Sequence, residues 1–139
     1  MQITQSHIYG AFLLRISLGV MFIAHGLLKV QVFTLPGTAQ FFESVGFAGW
    51  LAYPVAILEV IGGALLIAGV ATRTLSLLFI PILLGAVWVH AGNGWVFSAA
   101  NGGWEYPAFL TVALIVQSLL GSGAYAFRFP QSATQVPQT

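Results

Sequence analysis

The chain has 139 residues, only 5% of them charged, and no cysteine, with a mean hydropathy of +0.93. A soluble domain carries about 25% charged residues, so the few Lys, Arg, Asp and Glu side chains here cannot solvate a water-facing surface, and the net charge of +1 excludes a nucleic-acid footprint. Without a thiol the chain has no disulfide or sulfur nucleophile of its own, and any redox chemistry needs a bound cofactor or a partner.

What remains is an all-α integral membrane protein. In chain order, residues 8–29 form the first span. Arg15 interrupts its apolar run and no small-residue cleavage site follows, so it reads as retained rather than as a leader. Residues 34–45 suit a short interfacial helix, with Pro36 in its first turn and Phe41, Phe42 and Val45 on one face. The second span is 51–71. The turn Thr72-Arg73-Thr74 makes it an antiparallel hairpin with the third, 75–90, which Pro81 is expected to bend. Residues 91–105 are rich in glycine and asparagine and read as a loop. The fourth span is 106–127, and the polar tail 131–139 is expected to be disordered. The reading is a four-helix bundle in one domain.

Four spans put both termini on one side of the bilayer. Arg15, Arg73 and Arg128 lie toward that side, and Lys29, Glu43 and Glu105 toward the other, which predicts cytoplasmic termini by the positive-inside rule. Trp50, Trp88, Trp95 and Trp104 fall near the far face, where tryptophan favours the headgroup level.

Glu59 is the focus of the chemistry, because a lone carboxylate inside a span must be paired, protonated or hydrated. With helix ends set level, Arg15 lies about 10 Å and Glu59 about 18 Å from the terminal side, and His25 and His90 about 24–25 Å. Those depths predict an Arg15–Glu59 pair between neighbouring spans, with the histidines just beyond it. Arg15, Gly19, Phe22, Gly26 and Lys29 form one stripe on the first span, and Glu59, Gly63 and Leu66 share a face on the second, a seam of small and polar residues. Plainer readings stand beside these: a register pair for Arg15 and Glu59, a snorkelling anchor for Lys29, interfacial histidines, and a helix-dipole role for Glu105. His25, His90 and the carboxylates lack the spacing of a metal site, and none is expected.

The stretches Arg15-Ile-Ser-Leu-Gly19, His25-Gly-Leu-Leu-Lys29, Phe41 to Gly46, Glu59-Val-Ile-Gly-Gly-Ala-Leu-Leu-Ile-Ala-Gly69 with Thr72-Arg73, and Gly121-Ser-Gly-Ala-Tyr125 resemble the DoxX family of small four-span membrane proteins. The resemblance covers residues 10 to about 128. It departs after Gly121-Ser-Gly, where no acidic residue follows. It implies a bacterial inner-membrane bundle and a redox association, as in subunits of thiosulfate:quinone oxidoreductase or membrane complexes with soluble redox partners. The wider superfamily also holds cargo receptors and assembly chaperones without redox chemistry.

The function expected on these grounds is a membrane subunit of an oxidoreductase system that offers a quinone a site near the periplasmic side. A quinone head group needs an apolar slot, hydrogen-bond donors and a proton route. His25 or Lys29 would donate, with His90 and Glu105 on the opposite wall and Phe22, Trp88 and Trp104 lining the slot. Glu59, linked to Arg15, would carry or orient protons. The alternative is a non-catalytic scaffold or assembly factor for a partner protein. A small transporter is the weaker third reading, because only one span is broken by proline. The glycines of the fourth span leave room for a homo-oligomer.

Overall fold

The structure, a computed structural model, describes residues 3–127, with side chains from residue 5. Arg128 and the tail 131–139, both used in the sequence reading, lie outside the described residues. The described residues are mostly helical, with no strand among them. The helices are α1 (Ile3–Leu27), α2 (Leu35–Ser44), α3 (Ala52–Ile57), α4 (Gly63–Ala68), α5 (Thr72–His90) and α6 (Glu105–Leu120). Two of the joints are single wide turns of π-helix: Leu28–Val32 extends α1, and Leu58–Gly62 joins α3 to α4 into one rod. Three rods, Gln5–Val32, Gly49–Ala68 and Thr72–Asn93, are long and apolar enough to cross a membrane, and α6 is a shorter apolar helix.

Local chemistry accounts for most boundaries. The Thr34 hydroxyl accepts a hydrogen bond from the Gly37 amide at 3.2 Å, and proline stands in the first turn, so α2 begins where the sequence indicated. At the end of α4, Gly69 takes a left-handed φ of 78°. The amide of Val70 reaches back to the Leu65 carbonyl and that of Gly69 to Leu66, closing a Schellman motif that turns the chain into α5. α5 continues unbroken through Pro81.

The fourth helix is shorter than the expected 106–127. It stops at Leu120, and Gly121, with φ 80°, sends the chain back beneath the bundle. In this returning segment the Ala124 amide donates to the Ile8 carbonyl at 3.1 Å and the Phe127 amide to Ala68 at 2.9 Å. The physical reason is that buried Gln117 spends its amide on the Gly121 carbonyl, at 2.7 Å, which caps the helix from within.

α1 packs along the second rod and α5 along α6. The predicted glycine seam exists. A Cβ on Gly19 would stand 2.7 Å from the Gly63 carbonyl oxygen, and one on Gly63 2.8 Å from that of Gly19. Backbones this close gain dispersion where lipid provides no hydrophobic drive between helices. Phe22 and Phe79 stack at 3.7 Å between centroids at the centre, with Leu18, Leu66, Leu75 and Leu114 buried around them. α5 meets the second rod near the turn, where Gly62 faces Phe79 and Leu75. α3 makes no comparable approach to α5, so the hairpin splays toward its open end.

Candidate functional site

The splay leaves a cavity of about 810 Å³. α1 gives it Phe22, His25 and Lys29, the second rod gives Glu59, and α5 and its end give the wall that carries His90. Phe41, Phe42 and Phe47 of the interfacial segment also line it. The chamber is apolar apart from a few groups, the usual make-up of a small-molecule site.

Its ionic centre is Lys29 with Glu59. Lys29 Nζ donates to Glu59 Oε1 at 2.9 Å and lies 2.7 Å from Oε2. Glu59 is 4% exposed. Both residues belong to π-turns, Lys29 in Leu28–Val32 and Glu59 in Leu58–Gly62. A π-turn inserts one residue into the helical register and re-aims the side chains around it, and such turns recur at functional sites. Here the two turns meet across the seam, where a Cβ on Gly26 would stand 3.0 Å from the Glu59 Cβ. The hydroxyl of buried Thr38 on α2 donates to the Thr34 carbonyl at 2.9 Å and stands 3.3 Å from the Lys29 carbonyl oxygen of that turn.

The predicted Arg15–Glu59 pair does not form. Arg15 is fully buried, but its guanidinium donates to backbone carbonyls of the returning segment: Ser122 at 2.7 Å, Ala124 at 3.2 Å and Tyr125 at 3.4 Å. Register is the cause. Along the antiparallel seam Gly26 faces Val60 and Gly19 faces Gly63, while Arg15 comes level with Gly69. Ten residues of helix separate Gly69 from Glu59, about 15 Å, beyond the reach of a guanidinium. The two spans are offset along their axes rather than level at their ends, so Arg15 is not part of the candidate site.

The other predicted residues divide. His25, Lys29, Glu59 and His90 line one cavity. Trp88 does not line it: its side chain is 73% exposed on the outer surface of α5. Trp104 and Glu105 line a separate outer depression with Trp95 and Phe109. Glu105 Oε1 accepts the Phe97 amide at 2.7 Å, and Trp104 packs edge-on against Trp95 at 4.4 Å, so both stabilise the 91–104 loop. His90 also serves this loop, its Nδ1 standing 3.1 Å from the carbonyl oxygens of Asn101 and Gly102. Sequence reasoning missed Tyr106, whose ring lies 6.0 Å from that of His25 at 25° between planes. A tyrosine at the start of a span reads as a belt residue, and nothing in its spacing ties it to α1.

Long apolar helices around a nearly apolar chamber, with a buried ion pair at its wall, define a helical-bundle membrane protein with an internal site. Its family follows from comparison. The DoxX family model matches residues 10–92, more than half of the chain, and the chain belongs to that family. A Bacillus subtilis (strain 168) protein named "Putative oxidoreductase CatD" is 45% identical over 78 residues. That match covers 56% of this chain and 57% of the relative, so it spans little more than half of the relative's length. No solved structure matches the chain.

Proposed function

We propose that this DoxX-family chain is the membrane subunit of an oxidoreductase system and that its cavity seats a quinone-class head group. The observation that carries the proposal is the buried Lys29–Glu59 pair, set on two facing π-turns at the wall of an apolar chamber that also holds His25. An ion pair in lipid is costly, and it points to function where it borders a cavity. Quinone redox chemistry moves protons with electrons, so ionisable groups at the head group are chemically motivated. The aromatic face of Tyr106 and the apolar walls suit a flat ring, and the splay between α3 and α5 suits entry of an apolar tail. The name of the Bacillus relative supports the redox reading.

In this reading the chain lies in a bacterial inner membrane with both termini cytoplasmic, Arg15 and Arg73 toward that face and the cavity toward the periplasm. A soluble redox protein supplies or removes the electrons.

The test is to purify the protein, extract its lipids and measure co-purifying quinone by ultraviolet absorbance, then titrate a short-tailed quinone analogue. Bound quinone, displaced by the analogue and lost in Glu59→Gln, is the expected result. A well-folded protein that neither carries quinone nor binds the analogue overturns the reading and leaves a scaffold for a partner protein.

A further inference from the structure

We propose that the cavity favours the reduced form of its ring, holding a quinol more tightly than the corresponding quinone. The inference rests on the quinone-class reading above and concerns which oxidation state the site selects. A quinone presents two carbonyl oxygens, which only accept hydrogen bonds. A quinol presents two hydroxyls, which donate as well as accept. The unengaged polar atoms of the cavity therefore decide between them.

His25 is set by its own helix. Its Nδ1 lies 2.7 Å from the Met21 carbonyl oxygen. A carbonyl only accepts, so Nδ1 carries the proton, and Nε2 of the neutral ring is left as a lone-pair acceptor. Among the described residues Nε2 has no partner.

Both oxygens of the Glu59 carboxylate are taken up by Lys29, at 2.9 and 2.7 Å, which leaves His25 Nε2 as the acceptor that a ligand hydroxyl meets. The donors nearby do not discriminate. Lys29 would serve the oxygen of either form, and the Tyr106 hydroxyl, now donating weakly to the Met21 sulfur at 3.6 Å, is free to do the same. A quinone carbonyl placed against His25 Nε2 sets lone pair against lone pair, whereas a quinol hydroxyl forms a hydrogen bond there. Tenfold tighter binding of the quinol raises the potential of the bound two-electron couple by about 30 mV. The site then makes its bound quinone easier to reduce.

The experiment uses the full chain in nanodiscs under anaerobic conditions, with empty nanodiscs as the blank. Affinities are measured for a short-tailed p-benzoquinone and for its two-electron-reduced quinol. The expected result is at least tenfold tighter binding of the quinol. In His25→Gln, whose amide can present either a donor or an acceptor, the ratio falls to about threefold or less while the melting temperature is kept. Equal affinities, or tighter binding of the quinone, overturn this inference and leave the quinone-class site standing. An unchanged ratio in the folded His25→Gln protein overturns the assignment to His25. Binding of neither form overturns the site and the inference together.

Discussion

At the scale of residues, Arg15 on α1 and Lys29 on the π-turn that extends it have different tasks. Lys29 neutralises a buried carboxylate, and Arg15 holds backbone. Removing one partner of a buried pair strands the other charge, which costs about 3–5 kcal/mol. Because Lys29 keeps 19% of its side chain exposed, Lys29→Met is expected near the low end, about 3 kcal/mol. The double variant Lys29→Met with Glu59→Met should be more stable than either single, a sign readable by thermal unfolding in detergent. Arg15→Ala should act elsewhere. Its three carbonyl contacts fall on residues 122–125, so amide exchange should rise in that segment and not around Glu59. Its effect should add to that of Glu59→Gln within about 0.5 kcal/mol, as for uncoupled sites. A strong coupling would restore the pair that the sequence suggested.

At the scale of elements, the site depends on helices that are locally not α-helical. Each π-turn carries one residue more than an α-turn would, and Lys29 and Glu59 sit inside those turns. Deleting Ile61, an exposed residue of the second turn, should return the rod to α-register and rotate everything on one side of it by about 100°. The expected outcome is unchanged helix content by circular dichroism with loss of analogue binding. Retained binding would mean that the π-turn does not aim Glu59. None of this was legible beforehand, because a wide turn has no signature in composition or period. The interfacial helix was legible to within a residue, since Thr34, Pro36 and Gly46 are local signals. So was the glycine seam, because Gly19, Gly26 and Gly63 fall on faces that periodicity alone defines.

At the scale of the whole molecule, the cavity exists because α3 and α5 part while α1 and α6 each hold one of them. Filling that gap should separate binding from folding. A Cβ on Gly85 would meet Phe47 at 3.7 Å, an ordinary contact, so this position tolerates a side chain that grows into the chamber. Gly85→Phe should weaken analogue binding at least tenfold with little change in melting temperature. Unimpaired binding would move the ligand to another part of the molecule. The outer depression around Trp95 and Trp104 supplies the control: Phe109→Ala there should leave analogue affinity unchanged.

Composition and hydropathy by themselves determined a membrane helical bundle, its long apolar rods, the helix lying between the first two, and the set of ionisable groups that must meet somewhere inside. These follow from burial rules that act on each segment separately. Tertiary structure alone decided which base meets Glu59, which aromatic faces His25, and that the chain after Gly121 folds back onto Arg15. Partnership between spans depends on their axial offset, and a single turn, about 5.4 Å, replaces one neighbour by the next. That offset is fixed by glycine contacts summed along a whole seam and by two inserted residues, quantities that no single stretch of sequence carries.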